Sequence, residues 1–110
     1  MIDARELDRR LKLFRRPVSD DGFSSAPADP QLIKEVWAKK TDIRDGERLA
    51  AAQQGQTITS RFLVRYSPLT ASLEESDQVE CENVRYEVQG TKEARGRKVG
   101  IEITATALRS

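Results

Sequence analysis

Apolar and polar residues alternate over most of the chain, with the period of two that a half-buried strand requires. The first such stretch begins at Arg10. Leu11 and Leu13 point one way, Arg10 and Lys12 the other, and Pro17 stops the ladder. LIKEVWAKKTDI over 32–43 predicts a second strand, with Val36 and Ala38 on one face and Glu35, Trp37 and Lys39 on the other. The clearest alternation is TITSRFLVRY over 57–66. Ile58, Phe62, Val64 and Tyr66 share a buried face, while Thr57, Thr59, Arg61 and Arg65 share a wet one. In DQVEC, Val79 and Cys81 alternate with Gln78, Glu80 and Glu82. Glu82 and Asn83 then suit a tight hairpin turn into VRYEVQG over 84–90, with Val84, Tyr86 and Val88 inward and Gly90 at its end. TKEARGRK reads as a charged loop. VGIEITATAL closes the series with Val99, Ile101, Ile103, Ala105 and Ala107 on one face.

Two stretches break the alternation. DGERLAAAQQG predicts one short helix: Asp45 is placed to cap it, good helix formers run through Gln54, and Gly55 can end it in a left-handed conformation. Leu49 and Ala52, three apart, are its expected core face. SDDGFSSAPADP over 19–30 has the composition of a long connection between the first two strands. The pattern therefore predicts a mainly β protein with about six strands, one short α-helix and a long loop between the first two strands. An open sheet of that size, with one small helix, covers too little of its apolar face. Curling into a small antiparallel β-barrel buries that face and removes exposed edges. The 110 residues fit a single domain over 1–110.

Composition narrows the function. Lysine and arginine number 19 against 18 aspartates and glutamates, a net charge of +1. That balance argues against a generic nucleic-acid binder, whose affinity comes from neutralising phosphates. The chain has no histidine and one cysteine, which removes most nucleophilic, acid–base and transition-metal chemistry. Cys81 reads as a small buried apolar residue. Asp20, Asp21 and Asp29 are the clustered carboxylates a hard cation would use, but a Pro/Ser-rich loop holds ligands poorly. No enzyme, cofactor or metal site is expected. MIDARELDRR lacks the apolar core of a signal peptide and no apolar run is long enough to cross a bilayer, so a soluble protein made and used in the cytoplasm, with no membrane partner, is expected.

The order of features carries a resemblance. LDRRLKL at 7–13, a Gly-containing loop, VWA at 36–38, GERLAAAQQ at 46–54, VRY at 64–66, VRYEVQG at 84–90 and a final strand follow one another over nearly the whole chain. In this succession the chain resembles the head–tail joining family of tailed bacteriophages, also called head-closure or stopper proteins, with relatives in prophages and gene transfer agents. The resemblance implies a non-enzymatic connector in the virion neck, assembled in the bacterial host cytoplasm. It implies a homo-oligomeric ring of six or twelve copies, with the portal and head adaptor on one side and the tail terminator or tail proteins on the other. Such a ring retains packaged DNA, offers the tail its docking surface, and lets double-stranded DNA pass its lumen without specific binding. Asp20, Asp21, Gly22, Phe23 and Asp29 then hold the position of the loop that projects into the channel, and the three aspartates suit a non-adhesive lining.

A closed ring needs two unlike patches on each subunit. Arg61 and Arg65 on one strand, and Glu80, Glu82 and Glu87 on the later hairpin, are available for pairing between neighbours; the plain alternative is solvated faces. ELDRRLKLFRRP over 6–17 concentrates further charge, and a ring around DNA places Arg9, Arg10, Arg15 and Arg16 on outward or subunit-facing surfaces. Trp37 reads first as a core filler beside the helix and second as an interface anchor. The competing reading is a small nucleic-acid-binding barrel of the OB type, which stacks bases on exposed aromatics beside basic residues. Phe14 is the aromatic placed for that.

Overall fold

The structure is a computed structural model describing residues 2–17, 29–53, 55 and 58–108. Six strands are present: β1 (Arg9–Arg15), β2 (Gln31–Asp42), β3 (Ser60–Arg65), β4 (Gln78–Cys81), β5 (Val84–Ala94) and β6 (Gly100–Ala107). They close into an antiparallel barrel in the order β1-β2-β3-β6-β5-β4. The expected mainly β barrel is thus the observed fold. Its interior is filled by the alternating residues: Leu11, Leu13, Phe62, Val64, Val79, Val88 and Ile103 are almost fully buried. The rings of Phe62 and Tyr86 meet edge to face, with centroids 5.0 Å apart. Cys81 is buried there, and that burial pushes its thiol pKa up.

The hairpin between β4 and β5 turns through Glu82 and Asn83, both at positive φ (52° and 67°), the geometry of a two-residue hairpin turn. Val84 pairs with Cys81 across this turn but is exposed, because β6 ends at Ala107 opposite Tyr86 and puts no described residue beside it. Gly90 does not end β5. The strand continues to Ala94, so the first half of the expected charged loop is strand. Gln89 is the extra residue of a bulge, since Val88 faces Ala105 while Gly90 faces Thr104. The bulge bends β5 and shifts its alternation, which is why the polar stretch TKEA looked like loop.

Two helices lie outside the barrel wall: α1 (Asp45–Gln53) and α2 (Pro68–Ala71). Helix α1 starts at Asp45 itself and ends at Gly55, whose φ of 79° and bond from its N–H to the Ala52 carbonyl make the expected left-handed stop. Its buried residue is Ala51, packed with Ile43 and Ile58; Leu49 and Ala52 are exposed, contrary to the sequence expectation. Glu47 and Ala51 lie four apart on one face, and the ion pair of Glu47 with Arg61 turns that face to the sheet. Helix α2 was not expected. Ser67 caps it through a reciprocal pair of bonds with Thr70, and Pro68 opens it.

The outer face of β3 is not fully wet. Leu63 is buried beneath Ile2 and Leu7 from an N-terminal strap that includes a 3-10 turn, Ala4–Glu6. Gly100 lets the strap lie close: a Cβ there would stand 2.7 Å from Ile2 Cδ1. The strap is tied down by Glu6, which accepts from Arg95 at 2.9 Å and from Lys39 at 3.5 Å. The Arg95 guanidinium holds the Glu6 carboxyl at about 2, below its ordinary 4.5. A depressed carboxylate contributes stability above its ordinary value and loses it as the pH falls toward the lowered one. Acidifying from pH 5 to pH 2 is therefore expected to loosen the strap, seen as a fall in the amide protection factors of residues 2–8, corrected for the intrinsic pH dependence of exchange, before those of the barrel strands fall. In Glu6→Gln, the protection factors of the strap should be lower at pH 6 and no longer change across that window.

Candidate functional site

The residues singled out from the sequence fall on the outside of the barrel, and most of their charges are satisfied within the chain. Arg9 pairs with Glu82 at 2.6 Å. Arg10 donates from Nε to Glu35 at 2.7 Å and lays its guanidinium over the Trp37 ring, 4.7 Å from the centroid. Arg61 pairs with Glu47 and, at 3.4 Å, with Glu102. Glu80 lies 3.7 Å from both Lys12 and Arg85. Exposed Arg65 and Glu87 make no ion pair among the described residues. Arg65 stands opposite Gly100 on β6 and Glu87 opposite Thr106. Those positions are roughly 20 Å apart along the strand.

Trp37 is half exposed, so it is not the core filler that its position beside the helix suggested. It sits on the outward parity of β2, between Val36, which packs partly against the core, and the fully buried Ala38. These two neighbours take the inward positions, so the strand's alternation turns Trp37 outward whatever its size. Arg15 turns out to be neither outward nor free: it grips the buried carboxylate of Asp77 at the barrel end. Phe14 is half-buried and its ring face is covered by Arg85, 3.7 Å from the centroid. Arg85 occupies the face on which a base would stack. Of the expected lumen loop, Asp29 is described and exposed. Asp20, Asp21, Gly22 and Phe23 lie outside the described residues.

Two features escaped the sequence reading. One is an exposed apolar group at the start of β2, where Leu32 and Ile33 accompany Trp37. The signal was present in the consecutive Leu32 and Ile33, which break the alternation. Ile33 is the extra residue of a bulge, since Leu13 faces Lys34 and Phe14 faces Leu32. The other is a groove of about 310 Å³ between β2 and the corner joining β3 to α2, lined by Val36, Trp37, Tyr66 and Thr70 with Lys34 and Arg65. A second hollow, about 410 Å³, lies beside α1 and contains Arg61, Glu47 and Glu75. Among the described residues no helix is long and apolar enough to cross a membrane.

A family model described as phage head completion protein matches residues 2–108. No curated protein shows a significant match to the chain.

Proposed function

Because this chain belongs to the phage head completion protein family, we propose that it completes the head by assembling as a ring between the portal and adaptor and the tail. The coarse role, a structural component of the phage head that works with other head and tail proteins, comes with the family. The ring of six or twelve copies, the retention of packaged DNA and the docking of the tail are our reading. The observation that carries it is the family match over almost the whole chain, on a barrel whose interior is filled by side chains and whose outer surface is left for neighbours. Exposed Glu87 on β5, without an ion-pair partner among the described residues, is a charge left for a neighbouring subunit, as one patch of a heterologous ring interface would need. A net charge of +1 suits a subunit that surrounds DNA without gripping it. The covered face of Phe14 tells against the nucleic-acid-binding barrel.

Deleting the gene in the phage that carries it is expected to give heads that fill with DNA, lose it and lack tails, counted by electron microscopy and by nuclease-sensitive DNA. Full, tailed particles at normal yield would refute the reading.

A further inference from the structure

We propose that the open edge of β2 and the groove beside it form a docking site for an extended, acidic peptide segment of a neighbouring protein, which adds a strand to the barrel wall. The inference goes beyond the ring reading, because it concerns a surface that a single subunit already presents.

The edge follows from strand lengths. Strand β2 pairs with β1 from Gln31 to Ala38, but its register with β3 begins only at Ala38. Strand β3 ends at Arg65 and the chain turns into α2 at Pro68, leaving the first half of β2 with one neighbour among the described residues. The Ile43 N–H donates to the Thr59 carbonyl. Alternation then aims the backbone groups of Glu35 at the open side. The Ile33 bulge confines the regular part of this edge to Lys34–Val36, next to the groove. Such an edge is a template for an added strand, with main-chain bonds giving affinity and side-chain pockets giving selectivity.

The groove says what the segment must carry. Its walls are apolar, from Val36, Trp37 and Tyr66, and among the described residues its charged lining is Lys34 and Arg65, with no carboxylate. Neither cation has an ion-pair partner among the described residues, whereas Arg9, Arg10 and Arg61 are all paired within the chain. An apolar side chain flanked by carboxylates meets both conditions. A second copy of this chain is the poorer occupant. Its own open strand stretch, the part of β5 beyond Val88 that pairs only with β6, carries one cation, Lys92, and one carboxylate, Glu93, and so brings no net negative charge to Lys34 and Arg65.

Trp37, the single tryptophan, reports occupancy by its fluorescence. The probe is a capped eight-residue peptide alternating valine and glutamate, titrated into the purified protein. The expected result is a saturable change in emission that weakens with salt, with new amide protection at Glu35. The same peptide methylated on alternate backbone nitrogens should bind at least tenfold more weakly, and Lys34→Glu with Arg65→Glu should weaken the unmodified peptide roughly tenfold. Equal binding of a valine–lysine peptide, or no binding at millimolar concentration, would overturn the proposal. So would the same protection appearing in the protein alone as its concentration rises, which would make a second copy the occupant. Each of these failures leaves the particle phenotype of the deletion unchanged, so the two readings fall separately.

Discussion

Replacing Phe62 by alanine is expected to destabilise the barrel by about 3–5 kcal/mol, the range for emptying a fully buried aromatic site. Phe62 is the largest side chain among those almost wholly shielded from water, and it sits where β3 meets β2 and β6. Its edge-to-face contact with Tyr86 reaches across the interior to β5. The barrel is closed, so its walls cannot collapse inward onto the vacancy without breaking ladder bonds on both sides. The cost should therefore lie toward the upper part of that range. A domain of this size is stable by about 5–15 kcal/mol, so the variant should melt roughly 15–20 °C lower, read by calorimetry or circular dichroism. Trp37→Ala is the matching control. Being half exposed and held by Arg10 over its ring, Trp37 should cost about 1 kcal/mol or less. Equal losses for the two variants would mean that the barrel interior is not where the stability resides.

That contrast marks where the sequence was informative. Leu11, Leu13, Phe62, Val64 and Ile103 were legible as core because each lies in a strict alternation, and alternation is a property of the strand itself. Trp37 was not, because its parity gave the face correctly while its size suggested burial. What decides the matter is the parity, since Val36 and Ala38 on either side of it take the inward positions. Leu49 was misread for a related reason. A short alanine-rich helix has no dominant apolar stripe, so its rotation is set by the ion pair between Glu47 and Arg61, a contact fourteen residues apart in the chain. The ring-interface charges suffered most. Arg9, Arg10, Arg61, Glu80 and Glu82 all find partners across strands, and register is invisible until the barrel closes. The open edge of β2 was equally hidden, because it depends on β3 being shorter than its neighbour.

Replacing Arg15 by alanine is expected to cost about 3 kcal/mol, far more than the loss of an ordinary surface arginine. Its guanidinium makes a forked contact with Asp77, from Nε to Oδ1 at 3.0 Å and from Nη2 to Oδ2 at 2.9 Å. The Asp77 side chain is almost fully enclosed, while that of Arg15 is about a third exposed (36%). A charge enclosed and deprived of its partner costs about 3–5 kcal/mol, whereas exposed pairs contribute about 0–1. The half-open geometry places this pair at the lower edge of the first range. After truncation the carboxylate keeps one donor, the Glu74 N–H at 3.0 Å. The Asp77 backbone also matters, since its carbonyl accepts from Val88 at the point where β4 gives out and β5 continues. Arg15 Nη2 further reaches the Ser72 carbonyl and hydroxyl. Loss of Arg15 should thus free the whole 72–77 connection from the end of β1, with amide exchange there rising more than in β3 or β6. Arg15→Lys keeps the charge but not the fork and should fall between the two. If Arg15→Ala melts within a degree or two of the parent, the enclosed carboxylate is not held by this arginine, and the 72–77 connection is anchored by something else.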